Sequence, residues 1–296
     1  MNSSITSTSN QLFRDGKWIQ PKNFTNEQNT DIRIKEYWHS DIISHDINCK
    51  KLTIDLVNNS DTNGDINSKD NVCLIIHTEN KSLSKRNGII KSRRVTLSGS
   101  GAFQCTGIVA NEVIIEEGII LKNTPITCKR LLITMNKSTN LYEILSNTNT
   151  TTVTMTLSRP YLPLGQTQHT TCPPIIINKI DNLIITNQLP TKDSQYDLII
   201  QNCKNVSLRT VFTSSVDINN CKTVTILNSN IQQYNRLNVE ELTINNSPIN
   251  ELGELVCKKI TIEKSYICGE ALEMISKYTD ELYYNPFDFE DNLISV

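Results

Sequence analysis

The chain has 296 residues, 38% apolar, 20% charged and only 6% aromatic, and its 29 basic and 31 acidic side chains leave a formal charge of -2. No stretch approaches the roughly 18 to 20 apolar residues that a bilayer crossing needs, and the Ser/Thr-rich start lacks the basic segment and apolar core of a signal peptide. We therefore expect a cytoplasmic protein without a membrane segment and with its nine cysteines reduced; a charge so near zero gives no global pull on nucleic acid or anionic lipid, so an electrostatic partner needs a local patch.

Residues 1–11 read as disordered and 12–47 as an N-terminal cap, in which Phe13, Trp18 and Ile19 flank an Asp15-Gly16 turn signal and suggest a hairpin over the first coil. From 48 to 268 the apolar residues fall in short groups of Ile, Leu and Val bounded by Asn, Ser, Thr or Gly, and they repeat. Asn202 to Leu208, Asn220 to Ile226, Asn238 to Ile244 and Val256 to Ile262 superpose at an offset of 18 residues, with apolar anchors Val206, Val224, Leu242 and Ile260. Two residues after each anchor the apolar choice recurs, as inward alternation along a strand demands. Cys203, Cys221, Val239 and Cys257 stand three before the anchors, and Thr213, Ile231, Ile249 and Ile267 seven after. Val95, Val113 and Leu131 continue the register upstream, and less regular coils anchor at Leu52, Leu74, Val153 and Leu183, for about eleven coils in all.

Eighteen residues are too few for a strand, crossover helix and second strand, which need about 30. They suffice for short strands joined by tight corners, so the expected fold is an all-β parallel solenoid whose narrow interior excludes large aromatics. Parallel crossovers are overwhelmingly right-handed, and the apolar offsets here lack the six-residue period of left-handed hexapeptide helices; the right hand is expected. Two insertions interrupt the repeat, 58–71 and 158–174. The second carries four prolines with Tyr161, Leu162, Leu164 and His169, and is the first choice for a contact loop. Residues 269–287 read as a helical cap with Leu272, Ile275, Tyr278 or Thr279, and Leu282 on one face, followed by an acidic tail, 288–296.

Cys49, Cys128, Cys203, Cys221 and Cys257 share one column and are more simply read as small buried hydrophobes than as ligands, since no CxxC or His-spaced pair accompanies them. His39 and His45 lie six residues apart, which fits no chelate; His77 and His169 are isolated. No metal and no cofactor is expected. Gly99-Ser100-Gly101 is not followed by Gly-Lys-Ser/Thr and reads as a corner rather than a phosphate loop. Asp181 and Asp217 occupy different offsets, and no repeated pair of carboxylates emerges for glycosidic chemistry. The surface feature that does recur is a basic edge just before the anchors: Lys50, Lys51, Arg93, Arg94, Lys129, Arg130, Lys204, Lys222, Lys258 and Lys259, interrupted by Glu112, Asp181, Glu240 and Glu241. Stacked, these would form a positive stripe for an acidic partner or a polyanion.

The segments Asn48-Cys49-Lys50-Lys51-Leu52, Asn202-Cys203-Lys204-Asn205-Val206 and Asn220-Cys221-Lys222-Thr223-Val224 resemble the Asn-Cys-Lys-x-hydrophobic turns of the β-helical domain shared by cyclase-associated proteins and tubulin-binding cofactor C. The resemblance implies a β-helix that binds other proteins, cytoskeletal ones among them; the Gln and Arg motif with which the cofactor C family stimulates a GTPase is not evident, so no catalytic residue is carried over. The Asn/Ile/Thr bias also resembles coding by an AT-rich genome such as that of a protist, an intracellular bacterium or a large DNA virus; for a viral or effector protein the expected compartment is a host cytoplasm. The expected function is a non-enzymatic scaffold for protein binding or structural assembly. Its expected partner is an acidic or cytoskeletal protein, or a second copy joined end to end. The alternative is a carbohydrate-binding or polysaccharide-degrading β-helix.

Overall fold

The computed structural model describes residues 4–8, 11–14, 17–19, 26–37, 46–57, 61–78, 83–135, 140–157, 174–187 and 196–286, with backbone pairing alone before 46. The protein is nearly all parallel β-structure, a β-solenoid of about eleven coils with a short C-terminal helix. The chain divides into two compact units, Met1–Thr151 and Thr152–Val296. Among the described residues no helix is long and apolar enough to cross a membrane.

In the first unit the rungs are Asn26–Tyr37, Ile47–Val57, Ile66–His77, the 33-residue Leu83–Ile115 and Ile126–Met135. Ile32, Leu52, Val72 and Val95 stand in direct register, as do Val113 and Leu131. Leu83–Ile115 turns a corner while remaining paired: the Glu116 N–H donates to the Leu97 carbonyl at 2.9 Å, which sets Val113 one coil beyond Val95. At the start of the chain, Gln11–Arg14 and Lys17–Ile19 are antiparallel, with Phe13 opposite Trp18. Ser4–Thr8, inside the stretch read from sequence as disordered, is a strand parallel to Asp31–Lys35.

Two sequence expectations change here. The 58–71 stretch is mostly part of the coil: Asp61–Asn63 pairs with Lys85–Asn87, and Ile66 is fully buried. Val72, not Leu74, occupies the anchor position, and Leu74 falls two residues later opposite Ile54. Inward side chains recur with period two, so Val72 and Leu74 are equally good anchors until the neighbouring rung decides. A short helix, α1 (Leu141–Ser146), is also present. The residue before it, Asn140, imitates the missing rung: its Oδ1 accepts the Leu121 N–H at 3.2 Å and its Nδ2 donates to the Leu121 carbonyl at 2.6 Å.

In the second unit the anchors pile up as the repeat requires: Val153, Leu183, Val206, Val224, Leu242 and Ile260 are successive register partners. Thr213, Ile231, Ile249 and Ile267 form a second column. Nearly all of these side chains are under 5% exposed, which is how a chain with so few aromatics still builds a continuous core. Tyr234 is the exception in size, fully buried in register with Val216 and Leu252. The C-terminal helix, α2 (Gly269–Tyr278), buries Ala271 and Ile275. It ends earlier than expected, because Thr279–Pro286 forms a further parallel rung with Leu282 opposite Ile260. The open edge of the preceding rung offers unpaired backbone groups, and their satisfaction outweighs continuation of the helix.

The 35 asparagines, which composition alone assigns to loops, are placed by this architecture. Corners need left-handed backbone, which Asn tolerates better than most residues. Thr210, Asn228, Asn246 and Lys264 take positive φ at 18-residue intervals, and Lys179, Asn202 and Asn220 do so at another corner. Their amides then stack: Asn202 Nδ2 donates to Asn178 Oδ1 at 2.9 Å, Asn220 Nδ2 to Asn202 Oδ1 at 2.7 Å, and Asn246 Nδ2 to Asn228 Oδ1 at 2.9 Å. Inside the adjacent corner a serine ladder does the same for buried amides. The N–H groups of Val211, Ser229 and Ser247 donate to the hydroxyls of Ser229, Ser247 and Ser265 at 3.0, 2.9 and 3.1 Å, and each hydroxyl donates to the carbonyl two residues before it.

Candidate functional site

The two residues before each anchor sit where a rung leaves a corner, so both side chains face outward while the anchor turns in. In the first unit the position next to the anchor is held by Lys51, Asn71, Arg94, Glu112 and Arg130 on five successive rungs. The position before it is held by Lys50, Asp70, Arg93, Asn111 and Lys129. Six cations therefore face two carboxylates. One of these is committed: Glu112 Oε2 accepts Arg94 Nε at 2.6 Å and Oε1 accepts Arg130 Nη2 at 2.8 Å. Glu112 is 8% exposed, whereas the side chains of Arg94 and Arg130 are 54% and 64% exposed. The carboxylate thus fixes two guanidinium planes and leaves their remaining N–H groups turned to solvent. Among the described residues Arg93 and Lys129 make no ion pair with a carboxylate, and Lys51 stands in register with Asp31 of the rung before it. Together with Asp70, Asn71 and Asn111, these side chains line a groove of about 690 Å³.

The same two positions in the second unit have a different electrostatic character. They carry Asp181, Lys204, Lys222, Glu240, Lys258 and Asp280, and beside them Asn182, Asn205, Thr223, Glu241, Lys259 and Glu281. Four cations meet five carboxylates. Lys204 Nζ pairs with Asp181 Oδ1 at 2.9 Å and Lys259 Nζ with Glu281 Oε2 at 3.5 Å. The Lys204, Lys222, Lys258 and Lys259 part of the expected stripe is therefore a mixed-charge surface, and Lys204, Lys222 and Lys258 line a groove of about 600 Å³ with Asn202, Asn220 and Tyr278.

The cysteine column lies directly inside these corners. Cys49, Cys128, Cys203, Cys221 and Cys257 are buried and form no disulfide, and among the described residues no group of three or more His, Cys, Asp or Glu is placed to hold a metal. Burial pushes the Cys257 thiol up to about 11. Cys203 and Cys221 stand on adjacent rungs: a hydrogen bond from Cys221 lowers the Cys203 thiol below its ordinary value, while the same contact and burial raise that of Cys221.

Of the other sequence candidates, Tyr161, Leu162, Leu164 and His169 lie outside the described residues, as do His39 and His45. His77 is exposed at the end of its rung. Gly99 and Gly101 have φ of +93° and +132°, and a Cβ on Gly101 would collide with the Thr78 hydroxyl, which accepts the Ala102 N–H at 2.8 Å. The run is thus a close-packed corner. Sequence reasoning missed Asp70, Asp280 and Glu281 as the cations' neighbours, because each lies off the 18-residue offset and only the register reveals it.

Comparison with protein-family models, with curated proteins and with solved structures yields no match. The fold defines the class, a parallel β-solenoid.

Proposed function

We propose that the protein is a non-enzymatic β-solenoid scaffold whose first-unit corner, Lys50, Lys51, Arg93, Arg94, Lys129 and Arg130, binds an acidic partner protein. The observation that carries this reading is the imbalance of six cations to two carboxylates on five stacked rungs, set against the near-neutral equivalent in the second unit. A solenoid suits the task because its backbone holds the charges at fixed intervals, so little ordering entropy is lost on binding. At this corner the polysaccharide-degrading alternative calls for two carboxylates free to act as acid and base, and Glu112 has both oxygens in ion pairs.

A fluorescently labelled poly-glutamate peptide tests the reading. The wild type is expected to bind it with an affinity that falls as salt rises. Arg93→Glu combined with Lys129→Glu should reduce that affinity at least tenfold, while Lys222→Glu combined with Lys258→Glu should leave it within twofold. Equal losses from both pairs would remove the first-unit corner from the account.

A further inference from the structure

The cations of the first-unit corner recur with a period that the sequence numbering hides. Lys50 and Lys51, Arg93 and Arg94, and Lys129 and Arg130 occupy the first, third and fifth of five successive rungs. The second and fourth rungs carry Asp70 with Asn71 and Asn111 with Glu112. Adjacent strands are about 4.8 Å apart, so the three cationic rows repeat every 9.6 Å or so along the stacking direction. Between the second and third rows, Glu112 holds Arg94 and Arg130 by one oxygen each, which fixes the spacing rather than leaving it to flexible side chains.

Resting on the function proposed above, we infer that the corner recognises an extended acidic segment in polyproline II conformation with a carboxylate at every third residue. The match is geometric. That helix has three residues per turn and rises about 3.1 Å per residue, so residues i, i+3 and i+6 lie on one face about 9.3 Å apart. A β-strand fails the comparison: same-face residues i and i+2 are about 6.6 Å apart, and i and i+3 point to opposite faces. Duplex nucleic acid presents a phosphate about every 3.4 Å per strand, with no feature matched to the alternate rungs that carry Asp70 and Glu112 in place of cations. Single strands would also want aromatic rings to stack on, and among the described residues none lines the first-unit groove. A preformed extended helix also arrives with little conformational entropy left to lose.

Two peptides of one composition separate the alternatives: four Glu-Pro-Pro repeats, and a block of four Glu followed by eight Pro. Fluorescence anisotropy at low salt should show the repeat peptide binding the full chain about tenfold more tightly than the block. Arg93→Gln combined with Asn111→Lys moves part of the middle row by one rung without changing net charge. It should lower affinity for the repeat peptide several-fold and leave the block peptide unchanged. Equal affinity of the two peptides for the wild type would overturn the spacing while leaving an acidic partner in place. Failure of poly-glutamate and both peptides to bind would overturn the proposed function as well. Tighter binding of a sulfated polysaccharide or a single-stranded oligonucleotide than of any peptide would overturn the partner class.

Discussion

Single side chains in this protein act by repetition, and the serine ladder is the clearest case. Ser247 accepts the buried Ser229 N–H and donates to the Asn245 carbonyl, so it satisfies a backbone donor that no strand partner reaches. Ser247→Ala leaves that amide without its acceptor, at a cost of about 1–3 kcal/mol. Chemical denaturation should report the loss, and native-state hydrogen exchange should show it at the Ser229 amide. Ser207→Ala, on a half-exposed outward position, should change stability by less than about 0.5 kcal/mol. Equal effects would mean that the ladder contributes nothing. Such ladders are only half legible in a sequence. The 18-residue recurrence of Ser229, Ser247 and Ser265 is visible, but a buried serine cannot be told from a solvated one until the corner that encloses it is known. The asparagines mislead more strongly, because high Asn content normally argues for loops, and here the amides stack on one another.

Among the elements, α1 is the departure from regular coils, and its attachment depends on a charge. Glu143 Oε1 accepts the Asn123 N–H at 2.8 Å, Oε2 accepts Asn140 Nδ2 at 2.7 Å, and Lys122 Nζ lies 3.6 Å away. The Asn123 backbone bond, with support from Asn140 and Lys122, holds the Glu143 carboxyl below its ordinary value of 4.5. A depressed carboxylate contributes stability that is fully present above its unfolded value and is lost as pH falls through the folded one. Protection of the Asn123 amide should therefore be steady near neutrality and decline as the pH drops below about 4.5. In Glu143→Gln the protection should start lower and be insensitive over the same range; an unchanged acid response would contradict the assignment. The sequence offers no warning of α1, since six residues are too few to establish a helical period. The final rung, Thr279–Pro286, is hidden for another reason: it has one apolar anchor, the half-exposed Leu282, and earns its place through backbone pairing with the rung before it.

For the molecule as a whole, the repeat is legible wherever corners have constant length and obscure wherever they do not. Val206, Val224, Leu242 and Ile260 are spaced by 18 and align by inspection. Leu183 and Val206 are register partners at a larger offset, as are Leu52 with Val72 and Ile260 with Leu282. The charge pattern suffers most from this irregularity. Ten cations before six anchors suggest one basic stripe, but of the five carboxylates that neutralise the second unit, Asp181, Asp280 and Glu281 enter through coils of other lengths. Stacking therefore decides both the core and the surface, and it is the stacking that a measurement must reach. Spin labels can be placed in pairs at Asn205 with Thr223, Asn205 with Glu241, and Asn205 with Lys259, outward positions on four successive rungs. Dipolar coupling should give distances that grow in equal steps of about 4.8 Å from the first pair to the third. Distances without that progression, or a third pair no farther apart than the first, would contradict the solenoid register and the charge map drawn from it.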